Sequence, residues 1–171
     1  MSDSDDVARF RAAATDYLTC IDAAGDQGAE QTMRAVAALL GSLYAAAINL
    51  PKIEPENDDT PEDAQPGSAW DGLYQRLGDA GIGTYYWQVN HFLDDQPAEA
   101  GVGDLGDDLA DIYLDLRRGF AILDSGGSIN DAVWEWRFSF EHHWGQHAVD
   151  GLRVIHTLVN GGRDAPADDR A

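Results

Sequence analysis

The chain has 171 residues, 44% of them hydrophobic, enough for one compact domain that buries roughly 70% of its unfolded surface without a disulfide scaffold. Its 31 acidic residues, 24 of them Asp, face only 11 basic ones, for a formal charge of −20. That balance repels a phosphate backbone or an anionic bilayer, so neither nucleic acid nor membrane is expected as a partner.

In chain order, Val7, Phe10, Ala14, Tyr17, Leu18 and Ile21 recur at three and four residues and predict a helix over 7–24, stopped by Gly25 and Gly28. Cys20, the one cysteine, lies in this helix; it can form no internal disulfide and reads as a buried structural thiol. The first six residues are polar and acidic, unlike a signal or transit peptide. Together these place the chain in the cytoplasm. A second helix is expected from about Glu30 to Asn49, with Met33, Val36, Leu40, Leu43, Tyr44, Ala47 and Ile48 inward, and Pro51 ends it. The short connection makes the two helices antiparallel neighbours.

Residues 52–67 carry Pro55, Pro61, Pro66 and six acids, the composition of a long acidic loop. Ser68 is a candidate N-cap for a helix bearing Trp70, Leu73, Tyr74 and Leu77. Over 82–93 the spacing of Tyr85, Val89 and Phe92 favours a helix over a short strand. Residues 94–103, with Pro97 and two glycines, read as loop. A further helix runs from Asp104 to about Asp124, and the longest from Ile129 to about Asn160, with Ser128 as its cap. The fold class is therefore an all-α, single-domain helical bundle of about five to seven helices over 7–162. Residues 1–6 and 163–171 are expected as disordered tails.

Chemistry is concentrated on the last two helices. At about 100° per residue, Leu105, Leu109, Ile112, Leu116 and Phe120 form a core face, and Asp104, Asp108, Asp111 and Asp115 gather in one stripe beside it, with Asp107 and Arg118 further out. Packing four carboxylates together is unfavourable unless a cation or Arg118 offsets it. Asp107, Asp108 and Asp111 also spell D-D-x-x-D, a diphosphate–magnesium motif elsewhere. In so Asp-rich a chain about half an occurrence is expected by chance, so the match has little weight.

On the last helix His143, His147 and Asp150 share one side, while His142 and Glu141 point elsewhere. The one-turn spacing of His143 and His147 lets two imidazoles reach one metal, but Trp144 stands where a zinc protease of the H-E-x-x-H type has Glu. The aspartate stripe of the preceding helix would complete the ligands if the two helices are antiparallel neighbours. The candidate metal ligands are Asp108, Asp111, His143 and His147; Mn, Fe, Zn or, more weakly, Mg would suit them, and a bound water would be the nucleophile of a metal-assisted hydrolase. Against this stands a plainer reading, a binding or structural domain in which a buried His147 bonds an Asp across the helix pair. Gly145, inside the helix, suggests a tight crossing or a kink opening a pocket beside the imidazoles. The density of Trp134, Trp136, Phe138 and Phe140 suits core packing or a homodimer contact.

The run Leu105–Tyr113 (LGDDLADIY) and the run Phe138–His147 (FSFEHHWGQH), continued by Asp150–Arg153 and His156, resemble the bacterial domain-of-unknown-function family 5063. Leu43–Tyr44, Leu50–Pro51 and Tyr86–Trp87 extend the resemblance over most of residues 7–160. It implies an all-helical single domain and lends no substrate, cofactor or mechanism. By matching the two runs it nominates Asp107, Asp108, Asp111, His143, Trp144, Gly145, His147 and Asp150. With Asp115 from the wheel, the candidate polar or ligand site is Asp107, Asp108, Asp111, Asp115, His143, Trp144, His147 and Asp150.

Overall fold

The structure, a computed structural model, describes residues 3–57, 67–90 and 99–161. Its elements in order are α1 (Asp3–Asp22), α2 (Ala29–Ala47), α3 (Gly67–Asp79), strands β1 (Tyr85–Asn90) and β2 (Glu99–Asp104), then α4 (Leu105–Asp124), α5 (Ile129–Ser139), a π-helical turn (Phe140–Trp144) and α6 (Gly145–Asn160). Because α5, the π turn and α6 follow one another without a break, the described residues form a bundle of five helical rods, within the expected five to seven. The first helix begins at Asp3, inside the stretch expected as a tail.

Helix α4 is the axis of the bundle, packed against α1, α3, α5 and α6. Its Leu105, Leu109, Ile112 and Leu116 are wholly buried, the consequence of apolar residues recurring at the helical period. From α1, Phe10, Ala14, Tyr17 and Ile21 meet this core, and the Tyr17 hydroxyl donates to the Leu109 carbonyl at 3.0 Å. Ile48, expected inward, is more than half exposed at the C-terminal end of α2. Helix α5 crosses α4 at Gly119, where an added Cβ would fall 2.2 Å from Trp136 Nε1. Only glycine admits the indole, whose N–H donates to the Leu116 carbonyl at 2.9 Å.

Two expectations are corrected between Ile82 and Gly103. The aromatic segment is a strand rather than a helix, and residues 99–103 of the expected loop are its antiparallel partner, with Tyr86 opposite Gly103 and Trp87 opposite Val102. The spacing of Tyr85 and Val89 fits both periods, and a partner containing Gly101 and Gly103 carries no apolar alternation. What settles it is long-range: the Tyr86 ring lies over Gly103, where a Cβ would stand 2.3 Å from it. His91, Phe92 and Leu93 lie outside the described residues.

The hairpin feeds directly into α4. Asp104 caps the helix through the Gly106 N–H at 2.8 Å and takes the Tyr74 hydroxyl at 2.5 Å, while the Leu105 N–H donates to the Thr84 carbonyl. The start of the acidic segment is also tethered. Asp131 accepts from the backbone N–H groups of Glu56 and Asn57 and from the Asn57 side-chain amide, and Arg137 donates to the Leu50 carbonyl. Residues 58–66 of the expected loop, and the expected tail 163–171, lie outside the described residues.

Candidate metal centre

The stripe of α4 and the histidine edge of the π turn and α6 face each other. His147 Nδ1 lies 2.7 Å from Asp108 Oδ1, and His143 Nδ1 lies 2.7 Å from Asp115 Oδ2. Asp108 and Asp115 are 3% and 2% exposed, so each buried carboxylate needs partners for both oxygens. The second oxygens have them: Tyr86 donates its hydroxyl to Asp108 at 2.6 Å, and Arg118 donates to Asp115 at 2.8 Å.

A carboxylate only accepts, so both imidazoles carry their Nδ1 proton toward these partners, which leaves the neutral ring's lone pair on Nε2. Both Nε2 atoms turn to the same oxygen. Asp111 Oδ2 lies 3.6 Å from His147 Nε2 and 3.7 Å from His143 Nε2, while Asp111 Oδ1 takes the Trp70 indole N–H at 2.9 Å. The donor atoms of Asp111, His143 and His147 all lie within 4.8 Å of one another. A tetrahedral ion at about 2.05 Å from each donor would hold them about 3.3–3.4 Å apart. The two separations from Asp111 are thus a few tenths of an ångström wide of ligation, and the set as a whole falls within 4.8 Å.

Each donor is aimed by a separate partner, Asp108 for His147, Asp115 for His143 and Trp70 for Asp111. Carboxylates bonded to the far nitrogen of each imidazole are the usual support of metal-bound histidines, fixing ring orientation and raising ligand basicity. Half of the His143 side chain reaches solvent (48%), against about a quarter of His147 and Asp111. One side of the cluster is therefore open. Burial disfavours the His147 imidazolium, but the bond to Asp108 and the charges of Asp108, Asp111 and Asp107 outweigh it and raise the pKa above the ordinary histidine range. Asp107, one turn before Asp111 and partly buried, is likewise raised, by burial first and then by repulsion from Asp111.

The expected residues divide cleanly. Asp108, Asp111, Asp115, His143 and His147 come together, with Asp107 adjacent. Of the ligand candidates read from the sequence, Asp111, His143 and His147 converge, while Asp108 lies on the Nδ1 side of His147. Trp144 is wholly buried against Phe10 and Phe140, outside the cluster. Asp150 bonds Gln146 at 2.9 Å and neighbours Arg153. The next residue, Gly151, packs on Leu105 and approaches Asp108 at the start of α4.

Sequence reasoning missed Trp70 and Tyr86, which carry only packing signals. Gly145 marks a tight spot in the last helical rod. Its N–H reaches back five residues to the Phe140 carbonyl, from which an added Cβ would lie 2.4 Å, so glycine permits the π turn. A groove of about 740 Å³ beside α6 is lined by Leu40, Tyr44, Val149, Leu152 and His156, not by either site imidazole.

A helical bundle carrying a two-histidine, one-carboxylate cluster with carboxylate-oriented rings is the class of protein that fold and site define. The chain belongs to the family described as "Domain of unknown function (DUF5063)", which matches residues 2–160. A solved structure, protein BF1032 from Bacteroides fragilis, superposes with a TM-score of 0.74 over 95% of each chain at 21% sequence identity; a likeness at that identity concerns the fold. No curated protein matches the chain. Among the described residues no helix is long and apolar enough to cross a membrane.

Proposed function

We propose that this domain binds one divalent transition-metal ion through Asp111 and the Nε2 atoms of His143 and His147. The observation that carries the reading is that all three donors are aimed at one point by partners that are not themselves ligands. Asp111 Oδ2 stands 3.6 and 3.7 Å from the two Nε2 atoms, beyond direct hydrogen bonding and close to the spacing of two ligands about one ion. Two imidazoles and one carboxylate suit Zn, Fe or Mn better than Mg, which prefers an all-oxygen shell. Three protein ligands with an open side are the arrangement of reactive rather than closed structural centres. A metal-assisted hydrolase, with bound water as nucleophile, is the enzymatic form of this reading.

Isothermal titration of the chelator-stripped protein with Zn, Mn and Mg tests it. Near-stoichiometric Zn or Mn binding, lost in His143→Ala and His147→Ala, is expected. Absence of binding by all three ions in the folded protein would show that the network is structural.

The exposed Tyr85, Trp87 and Val102 on the hairpin support the expectation of a homodimer, and a single monomeric species in sedimentation at micromolar concentration would remove it. A reducing compartment, the cytoplasm, is proposed from the cysteine usage alone.

A further inference from the structure

Asp108 and Asp115 orient their imidazoles with support from different places. Each gives one oxygen to an Nδ1 atom, at 2.7 Å in both cases. The other oxygen of Asp115 is held by Arg118, three residues further along α4, at 2.8 Å. The other oxygen of Asp108 is held by the Tyr86 hydroxyl, at 2.6 Å, brought in from β1. The terminal torsion of an aspartate is broad, so a single hydrogen bond lets the carboxylate swivel, while bonds to both oxygens fix its plane.

The hairpin holds Tyr86 ready for this bond. Successive side chains of β1 point to opposite faces, so Trp87 is 73% exposed while Tyr86 turns inward to α4. Its ring lies against Gly103 of β2, where an added Cβ would stand 2.3 Å from Cζ, and the Arg153 guanidinium of α6 sits 5.5 Å from the ring centroid. Arg153 also donates to the Trp87 carbonyl at 3.2 Å, which ties β1 to α6. Burial first, and then the bond to Asp108, raise the Tyr86 pKa well above the ordinary tyrosine range, so the hydroxyl remains a donor.

Resting on the metal reading above, we propose that Tyr86 is a positioning residue of the centre: its hydroxyl fixes the Asp108 carboxylate, and Asp108 in turn keeps the His147 Nε2 turned to Asp111. Tyr86 acts through Asp108 and is not itself a ligand. The hairpin is then a working part of the metal centre as well as a cover on α4.

The test compares Zn affinity, by isothermal titration of the full chain, among wild type and single variants. Tyr86→Phe keeps the ring and removes the hydroxyl, and a loss of about tenfold is expected. Tyr17→Phe removes another buried hydroxyl, one that donates to the carbonyl of Leu109 beside Asp108, and affinity within about twofold of wild type is expected. Gly103→Ala keeps the Tyr86 hydroxyl but pushes the end of its ring aside, so it should weaken Zn binding in the same way. Proton–nitrogen NMR spectra of the Zn-loaded proteins supply the signature of positioning. The Nδ1–H resonance of His147 is expected to move in Tyr86→Phe, while that of His143, whose carboxylate is held by Arg118, stays in place. Affinity within about twofold of wild type in Tyr86→Phe, an equal loss in Tyr17→Phe, or an unmoved His147 resonance overturns the proposal and leaves the metal site standing. Should Tyr86→Phe not fold, unchanged affinity in Gly103→Ala does the same. No Zn binding by the wild-type protein overturns the proposal, and no Mn binding in addition overturns the metal reading beneath it.

Discussion

His147 and Asp108 are 39 positions apart in sequence, and their Nδ1 and Oδ1 atoms lie 2.7 Å from each other. One helical turn away His143 repeats the contact with Asp115 at the same distance. Such a repeat requires α6 to run beside α4 with one register, and the register aims both Nε2 atoms at Asp111.

The metal-free protein should feel the loss of this contact directly. His147→Ala removes one of the two partners of a buried carboxylate and leaves Asp108 with Tyr86 alone. A destabilisation of roughly 1–3 kcal/mol is expected, read from the shift of the urea midpoint at constant slope. An unchanged midpoint would mean that the network contributes nothing to the fold.

Orientation should be separable from ligation. Asp108→Ala keeps all three proposed ligands but frees the His147 ring, and a loss of about 10- to 100-fold in Zn affinity is expected. Asp150→Ala, on the same helix but engaged with Gln146, should leave the affinity unchanged. Isothermal titration of the two variants side by side distinguishes the assignment made here from a site that includes Asp150.

The π turn should tolerate no side chain at its end. Gly145→Ala puts a methyl group against the Phe140 carbonyl, and a cost of about 1–3 kcal/mol is expected, with weaker Zn binding as His143 moves relative to His147. Gly41→Ala is the contrasting case. Gly41 is exposed within α2 with nothing within 4 Å of an added Cβ, and stabilisation of about 0.5–1 kcal/mol is expected. Thermal melts of both variants check the pair.

Acid should release the strap between residues 56–57 and α5. The hydrogen bond from the Asn57 side chain, with the N–H groups of Asn57 and Glu56 and the Ser128 hydroxyl, holds the Asp131 carboxyl down to about 2. An unfolded Asp titrates at about 3.9. The folded state therefore binds this proton less readily, so the contribution is present above about pH 4 and is lost as pH falls toward 2. Urea midpoints measured between these limits should fall more steeply for wild type than for Asp131→Asn. Parallel curves would count against it.

Much of the helical part is legible without coordinates. A period of 3.6 residues assigns Leu105, Leu109, Ile112 and Leu116 to one face and the aspartates to its border, whatever the surroundings. The same arithmetic puts His143 and His147 on one edge. Tyr86 and Trp70 show the limit of such reasoning. They reach α4 from 22 and 41 positions away in sequence, and local periodicity carries no information about which distant hydroxyl or indole will fill a buried acceptor.

Amphipathic spacing by itself thus determined the helical rods, the inward face of each and the edges on which the acids and imidazoles stand, because these follow from side-chain direction along one helix. The tertiary structure decided that Asp108 and Asp115 face the Nδ1 atoms while Asp111 faces the Nε2 atoms, that Trp144 belongs to the core, that Asp150 pairs with Gln146 and Arg153, and that residues 85–90 pair as a strand. Apart from the local pairs of Asp150, each of these depends on the axial offset between two packed elements or on a hydrogen bond across them. That offset is settled by the packing of the whole interior.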